Sequence, residues 1–331
     1  MTGTAAVIAG IGTWLPPRVV DNAELSRRLD TSDEWIRSRT GIRQRHVVEP
    51  GMSTADLAVE AGARALKSAD GCGVDTVVLA TTTPDHPCPS TAPEVANRLG
   101  LAGVAAFDLN GVCAGFIYAL AAGAGLVVAG VAEGVLVIGA DTFSTLLDPT
   151  DRSTVPIFGD GAGAVVLRRG LATELGALGP FDLGSHGGLA GLLMVPAGGS
   201  RQRSTGEPAG YYFRMVGKPV FRQAVERMAA SARVALGRAG WTVPEVDRLV
   251  AHQANARILR AVGDELDIPP DRVVRNVDLV GNTVAASIPL AMADAARDGL
   301  LRPGDRVLAC SFGGGLTWGS TTLRWPDLEP V

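Results

Sequence analysis

The sequence around Cys113 could present this cysteine as a nucleophile. Within residues 107–118, an apolar strand is expected to end near Leu109, a glycine follows, and a helix is expected to begin at about Cys113. The positive end of a helix dipole lowers the pKa of a thiol and so increases its thiolate fraction. Strand–turn–helix elbows of this kind present nucleophiles. The alternative is an inert core thiol, because free cysteine is among the most buried residue types.

A histidine and an asparagine later in the chain follow comparable patterns. His252 comes directly after the apolar run 246–251, at the C-terminal end of a predicted strand, where α/β proteins build their sites. Asn282 follows Gly281 and precedes an apolar helical pattern. Each has a structural alternative. His252 could be a hydrogen-bonded structural side chain, and Asn282 could simply cap the helix that follows.

Together the three side chains suit one reaction on thioesters. A thiolate at Cys113 can take an acyl group from a first thioester. A second thioester that carries a carboxylate can then lose CO2 if donors stabilise the enolate oxygen, and His252 and Asn282 are two such donors. We expect an oxyanion hole formed by two backbone N–H groups, that of Cys113 and that of Gly314 in the glycine turn at 313–315. Glycine at this turn allows the backbone to approach closely.

The elements that must hold these residues occur twice along the chain. An amphipathic helix precedes the strand-like run 74–80, and a second such helix precedes the run 246–251. A glycine turn followed by an apolar strand occurs at 158–168 and again at 312–324. The pattern predicts a duplicated α/β unit, with a mixed sheet in each half.

The boundary between the two halves is predicted near residue 170, which gives halves of residues 1–170 and 171–331. Residues 184–210 are rich in glycine, serine and proline and predict a long irregular loop. Residues 112–132 carry no charge and are long enough to span a membrane. Because this run is rich in glycine and alanine and has no basic flank, we expect a buried helix and strand and no membrane partner.

Composition excludes several classes of function. The net charge is −4, without the basic stripe that nucleic-acid binding requires. The cysteines have no CxxC spacing and the histidines form no ligand cluster, so we expect neither a metal site nor a disulfide framework. A reducing cytoplasm suits this pattern best. The residues concerned are Cys72, Cys88, Cys113, Cys310, His46, His86, His186 and His252.

In combination, the motifs of the chain resemble the β-ketoacyl-acyl carrier protein synthase III family, whose members have the thiolase fold. The resemblance extends from Gly10 to Trp325 and implies two βαβαβαββ halves in a layered α-β-α-β-α sandwich. It also implies condensation of an acyl-CoA with malonyl-acyl carrier protein, a homodimer, and no cofactor beyond the thioester substrates. The motifs lie at residues 31–43, 107–118, 158–163, 252–255, 281–283, 312–315 and 318–319.

The resemblance also implies roles for residues around the substrate tunnel. In this family the cysteine is acylated, and the histidine and asparagine promote malonyl decarboxylation. Trp35 and Arg152 would sandwich the adenine of coenzyme A. Arg257 and Arg260, one helical turn apart, would dock the carrier protein. The remaining positions implied to bind substrate are Arg39, Gly217, Asn255 and Phe312.

Three positions depart from the family pattern. Cys88 stands where many members have a bulky phenylalanine that projects into the partner subunit's acyl pocket, so we expect a starter larger than acetyl. Asp264 and Glu265 occupy places where some members have a basic pair near the carrier-docking face. Lys218 stands where well-known members have asparagine, beside Gly217, and the sequence offers no reason for that change.

Two other functions remain open from the sequence alone. One is an acyltransferase of the same fold that makes an ester or amide without condensation. The other is a catalytically silent subunit of a heteromeric enzyme, against which the presence of Cys113, His252 and Asn282 argues. A thiolase proper would need a second cysteine near the C-terminal glycine turn. Cys310 lies close to that turn but within an apolar run that predicts a buried strand.

Overall fold

The computed structural model describes residues 3–204 and 207–331. Residues 1–2 of the first predicted half and residues 205–206 of the predicted loop lie outside the described residues. The helices are α1 Asn22–Ser26, α2 Asp33–Thr40, α3 Thr54–Ser68, α4 Ala92–Arg98, α5 Gly115–Val128, α6 Gly217–Ala239, α7 Ala256–Glu265, α8 Val277–Val280 and α9 Ser287–Arg297. The strands are β1 Thr4–Trp14, β2 Arg18–Asp21, β3 Gln44–Val47, β4 Thr76–Ala80, β5 Ala105–Leu109, β6 Gly134–Asp141, β7 Gly161–Leu171, β8 Leu178–Ser185, β9 Leu193–Met194, β10 Arg214–Met215, β11 Arg248–Ala251, β12 Arg306–Gly313 and β13 Thr317–Arg324.

Two mixed sheets share one strand order. The first runs β1-β7-β6-β4-β5, and its pairings are antiparallel, antiparallel, parallel and parallel. The second runs β8-β13-β12-β11 with the same sequence of antiparallel and parallel pairings. A parallel bridge between Leu249 and Val273 takes the place of the fifth strand. The structure therefore has the duplicated α/β architecture predicted from the repeat, and we propose the β7–β8 connection as the boundary between residues 1–170 and 171–331.

The central layer between the two sheets contains α5 and α9. Phe116 and Leu120 of α5 and Ile288 and Met292 of α9 belong to one buried cluster that also takes residues from both sheets. Helix α3 covers the outer face of the first sheet and α6 that of the second. The uncharged run at 112–132 thus contains the buried helix α5, as predicted. The strand expected with it is β6, which begins after the run, at Gly134. No helix of the described residues is long and apolar enough to cross a membrane.

The segment predicted as a loop at 184–210 is more ordered than expected. A 3-10 turn spans Gly187–Leu192, and β9 follows it directly. Strand β9 pairs with β10 through Leu193 and Met215, which brings this segment against the start of α6. The pairing joins residues far apart in sequence, and for this reason no local pattern predicts it.

Candidate active site

One cavity of about 480 Å³ collects most of the residues singled out from the sequence. It lies where α5, α6, α7 and the turns before α9 and after β12 converge. Cys88 and Arg260 do not line it. The predicted residues that do are Trp35, Arg39, Cys113, Arg152, Gly217, His252, Asn255, Arg257, Asn282, Phe312 and Gly314.

Cys113 lies in a strained elbow at the base of this cavity. Strand β5 ends at Leu109, and a 3-10 turn over Val112–Ala114 leads directly into α5. Val112 has a φ of 49°, a region that β-branched residues rarely adopt. The side-chain Oδ1 of Asn110 accepts a hydrogen bond from the Val112 backbone N–H at 3.2 Å, which offsets part of that strain. The elbow predicted from the sequence is therefore present.

Asn282 begins a second elbow of the same construction. Val284 has a φ of 52°, and its backbone N–H donates to Asn282 Oδ1 at 3.0 Å. The Asn282 oxygen thus stabilises the turn, and it does not cap α9 as the sequence allowed. The side-chain Nδ2 makes no hydrogen bond among the described residues, and the residue is on the cavity wall. Asn282 can therefore present an N–H donor to a substrate.

A neighbouring strand-like segment fixes the backbone of Asn282. The Asn282 N–H donates to Ile157 O at 2.9 Å, and Asn282 O accepts from the Gly159 N–H at 3.0 Å. Arg45, which is 1% exposed, donates from its guanidinium to Pro156 O at 2.6 Å. Sequence reasoning missed Arg45, because its role depends on contact with a segment more than a hundred residues away.

His252 follows β11 and lines the same cavity as Asn282. Its backbone N–H donates to Cys310 O at 2.8 Å, and only 2% of the residue is exposed. The ring Nδ1 lies 2.6 Å from Ser287 Oγ. Burial lowers the pKa of His252 to about 3, because the charged imidazolium loses its hydration. His252 is therefore neutral at ordinary pH and has one ring N–H to donate.

The thiol of Cys113 does not have the lowered pKa that its helix N-terminus predicts. Burial raises the pKa of Cys113, and the nearby Asp141 carboxylate raises it further. The resting group is the thiol, so its proton must leave during acyl transfer. The sequence prediction failed here because desolvation depends on tertiary enclosure and outweighs the local helix effect.

The glycine turn after β12 leaves space around the Cys113 backbone N–H. A Cβ atom at Gly313 would lie 2.7 Å from Cys113 N and 3.0 Å from Ala114 N. At Gly314 the nearest atoms would be 3.3 Å away, Leu193 O among them. Only glycine at position 313 allows the backbone of β12 to approach the helix start this closely. We propose that the backbone N–H groups of Cys113 and Gly314 form the oxyanion hole, as predicted from the sequence.

We expect Gly313→Ala to reduce acylation of Cys113 at least tenfold, because the added methyl group displaces the Cys113 N–H from the predicted oxyanion hole. Rates of acyl-enzyme formation, followed by intact mass, measure the effect. Gly237→Ala in α6 is the matched control, since a Cβ there meets no atom within 4 Å. Equal acylation rates in the two variants would contradict the assignment of this turn.

In the second elbow, the Asp141 carboxylate lies where the first elbow has its predicted oxyanion hole. Asp141, the last residue of β6, accepts from the Ala285 N–H at 3.0 Å and from the Thr82 N–H at 2.7 Å. Gly313, the last residue of β12, takes the matching place beside the Cys113 N–H. Within the described part of the chain, the Cys113 N–H of the first elbow has no hydrogen-bond partner, while Asp141 anchors the second elbow through the Ala285 N–H. The sequence repeat does not reveal this asymmetry.

The contribution of Asp141 to stability should fall as the pH rises. Burial raises the pKa of this carboxyl to about 7, against donors that favour its charged form. Because the folded-state pKa of Asp141 is raised, its carboxyl group contributes fully to stability at pH values below the unfolded-state pKa. This contribution is lost as the pH rises through the folded-state pKa of about 7. Compared with Asp141→Asn, we expect the unfolding free energy of the wild type to fall by roughly 2–3 kcal/mol from pH 5 to pH 8. Denaturant titrations of both proteins measure this, and parallel pH profiles would contradict it.

The mouth of the cavity is basic. Four cationic side chains line it, Arg39, Arg152, Lys218 and Arg257, and none of the lining residues that the structure describes is acidic. This lining suits phosphate groups. The Arg152 guanidinium lies 4.8 Å from the centre of the Trp35 ring and pairs with Asp30 at 3.0 Å. A flat ring placed between the guanidinium and the Trp35 ring requires these two groups to be about 7 Å apart, which is twice a van der Waals contact distance. Arg152 must therefore move before an adenine can enter.

Three phenylalanines line the inner wall. Phe158 begins one of the motifs noted in the sequence, whereas Phe143 and Phe213 were not singled out there. The ring centres of Phe143 and Phe158 are 4.6 Å apart, and Phe213 lies 5.0 Å from Phe143. A second cavity of about 600 Å³ adjoins the first. The two cavities share four lining residues, Val112, Phe143, Leu193 and Phe213. The inner wall is thus apolar, as an acyl chain requires.

The remaining predicted positions lie on the surface. Cys88 is exposed, in a segment whose Pro87 lines the second cavity of the same chain. Arg260 is exposed on α7. On the same helix, Glu265 pairs with Arg233 at 3.3 Å, which neutralises one of the two unexpected acidic residues near the predicted docking face.

Comparison with known proteins agrees with this geometry. Residues 107–187 match the family described as 3-oxoacyl-[acyl-carrier-protein (ACP)] synthase III, and residues 236–325 match its C-terminal family. The chain is 63% identical over 330 residues to β-ketoacyl-[acyl-carrier-protein] synthase III 5 of Streptomyces coelicolor, covering 99% of each protein. The chain belongs to the β-ketoacyl-acyl carrier protein synthase III family. It is therefore a condensing enzyme with the thiolase fold.

Solved structures of β-ketoacyl-acyl carrier protein synthase III enzymes share the whole architecture. The enzyme from Pseudomonas aeruginosa has a TM-score of 0.93 at 54% identity, with 98% of this chain and 100% of that chain covered. A priming β-ketosynthase of a polyketide biosynthetic pathway has a TM-score of 0.91 at 35% identity, with 99% and 98% covered.

Proposed function

We propose that this protein catalyses the decarboxylative Claisen condensation of an acyl-CoA with malonyl-acyl carrier protein and so starts a fatty acid or polyketide chain. The enzyme class is an acyltransferase of the ketoacyl synthase III type, and its expected location is the cytoplasm. The observation that carries this proposal is the convergence of Cys113, His252 and Asn282 on one cavity with a basic mouth and an apolar inner wall.

In the first step, Cys113 Sγ attacks the carbonyl carbon of the acyl-CoA. The bond from that carbon to the CoA sulfur breaks, and the thiol proton leaves with coenzyme A. The oxyanion of the tetrahedral intermediate accepts from the Cys113 and Gly314 backbone N–H groups. The acyl chain then extends along Phe143 and Phe213.

In the second step, the malonyl thioester loses CO2. The electron pair of the breaking C–C bond forms an enolate, whose oxygen accepts from the His252 ring N–H and Asn282 Nδ2. No base is needed, which agrees with a histidine that is neutral and deeply buried. The enolate carbon attacks the acyl carbonyl carbon, the C–S bond to Cys113 breaks, and the released thiolate takes a proton from solvent.

Two features support binding of both thioesters through one tunnel. Arg39, Arg152, Lys218 and Arg257 offer positive charge to the phosphates of coenzyme A and of the carrier's phosphopantetheine. Asn255 is the N-cap of α7, where its Oδ1 accepts from the Ile258 N–H at 2.9 Å. Its amide nitrogen can therefore serve the pantetheine arm from the cavity wall, as we propose from the family resemblance.

A homodimer and a starter larger than acetyl complete the proposal. Strand β5 is an edge strand of the first sheet, and its Phe107 is 38% exposed, so another strand could pair there. The segment with Cys88 would then face the partner subunit. A small thiol at that position, beside the second cavity, supports room for a longer or branched acyl group.

Reversal of charge at Arg260 should weaken carrier binding without affecting acylation. Arg260 lies outside the cavity and is exposed, and the family resemblance implies that it docks the carrier, for which its positive charge would steer the encounter. We expect Arg260→Glu to raise the KM for malonyl-acyl carrier protein roughly three- to tenfold. The rate of acylation by acyl-CoA should not change. Arg324→Glu at the far end of β13 is the control, and equal KM values in both variants would contradict the docking assignment.

Steady-state turnover tests the proposed reaction. The purified protein is mixed with malonyl-acyl carrier protein and a panel of acyl-CoAs from acetyl to branched and medium-chain. We expect one CO2 and one 3-ketoacyl-carrier product for each acyl-CoA consumed, with the highest kcat/KM for a starter larger than acetyl. Acyl transfer to an alcohol or amine without CO2 would instead identify a non-condensing acyltransferase. If no acyl-CoA donor gave turnover, the result would favour the alternative of a catalytically silent subunit.

A further inference from the structure

The buried contact between His252 and Ser287 has no role in the reaction described so far. Ser287 is the first residue of α9 and is 1% exposed, and its Oγ lies 2.6 Å from His252 Nδ1. Among the described residues, Ser287 Oγ has no other hydrogen-bond partner.

The direction of this hydrogen bond follows from counting donors. If the His252 Nδ1–H donated to the hydroxyl oxygen, the hydroxyl proton would be buried without an acceptor. If the hydroxyl donates to an unprotonated Nδ1, both polar groups are satisfied. The second arrangement is favoured, and it leaves the single proton of the neutral ring on Nε2.

We propose that Ser287 is a positioning residue that fixes the tautomer of His252, so that Nε2–H faces the substrate cavity. This inference rests on the proposed function, in which His252 donates to the enolate oxygen. His252 Nε2 has no hydrogen-bond partner among the described residues, and the residue lines the cavity. With the proton on Nδ1, Nε2 would present a lone pair to the enolate and repel it.

The position of Ser287 couples the two enolate donors through one short segment. The turn at residues 282–287 begins with Asn282, which donates directly, and ends with Ser287, which acts through His252. Asp141 anchors the middle of this turn through the Ala285 N–H at 3.0 Å. One rigid turn thus sets the geometry of both donors.

The first test separates decarboxylation from acylation. We expect Ser287→Ala to lower CO2 release from the malonyl thioester about three- to tenfold, because only the fraction of His252 that still carries the proton on Nε2 remains active. Acylation of Cys113 by acyl-CoA should stay within about twofold of wild type, since His252 does not act in that step. Ser287→Thr, which keeps the hydroxyl, should restore CO2 release. Ser231→Ala, at a buried serine of α6, is the matched control.

The second test observes the tautomer itself and does not depend on turnover. In 15N-histidine-labelled wild type, with His252→Ala used for assignment, we expect protonated Nε2 and unprotonated Nδ1 for His252. Ser287→Ala should show both tautomers. A proton on Nδ1 in the wild type would overturn the proposal, as would an unchanged rate of CO2 release in Ser287→Ala. A wild type that shows the expected tautomer but no decarboxylation would instead contradict the proposed function.

Discussion

Cys113→Ala is expected to abolish acyl-enzyme formation and to lower condensation at least about 10⁴-fold. The variant removes the only atom that can carry the acyl group between the two steps, and loss of a catalytic nucleophile has effects of this size. Intact mass after incubation with acyl-CoA, together with 3-ketoacyl product formation, measures both consequences. Because alanine is smaller than cysteine, the variant should keep its fold.

The same variant should still release CO2 from the malonyl thioester. His252 and Asn282 remain in place, and decarboxylation requires only their donors. Cys310→Ala is the matched control, since this buried thiol lies within β12 and does not line the cavity. Acyl adducts that persist in Cys113→Ala but vanish in Cys310→Ala would show that Cys310, and not Cys113, is the nucleophile.

Asn282→Asp and His252→Ala are each expected to lower condensation about 10²- to 10³-fold. Asn282→Asp keeps the Oδ1 acceptor for the Val284 N–H and so preserves the elbow. It replaces the Nδ2 donor by a negative oxygen that repels the enolate. His252→Ala removes the other donor. Both losses concern the decarboxylation step.

The step affected distinguishes these variants from variants that merely unfold. Acylation of Cys113, followed by intact mass, should stay within about threefold of wild type in both, while CO2 release falls with condensation. His186→Ala, at an exposed histidine, should leave both steps unchanged. Equal losses in acylation and CO2 release would show that His252 and Asn282 are needed for the structure of the site, and would contradict their role as donors to the enolate oxygen.

Local sequence patterns predicted the fold well because each unit is built from short-range signals. The strand, glycine and helix around Cys113 lie within a dozen residues, and the duplicated pattern indicated a second half of the same design. The order of strands in the sheets agrees with that duplication. The pairing of β9 with β10 was not predicted, since it depends on how the segment at 184–210 returns to the start of α6.

The supporting contacts of the site could not be predicted in the same way. Ser287 lies 35 residues from His252, and Arg45 lies 111 residues from Pro156, so neither contact has a local signature. The pKa of Cys113 was predicted in the wrong direction, because enclosure by distant segments outweighs the helix N-terminus. Residue types and motifs thus identified the reacting groups, while tertiary packing determines how they are oriented and charged.

A single-turnover experiment tests the central claim most directly. The protein is loaded with a starter acyl-CoA, freed of excess donor, and then mixed with malonyl-acyl carrier protein while its intact mass is followed. We predict a mass gain of one acyl group on Cys113, which disappears on addition of the malonyl carrier as one CO2 and one 3-ketoacyl carrier form per adduct. An adduct that survives while CO2 is released, or that leaves without CO2, would contradict condensation through an acyl-Cys113 intermediate.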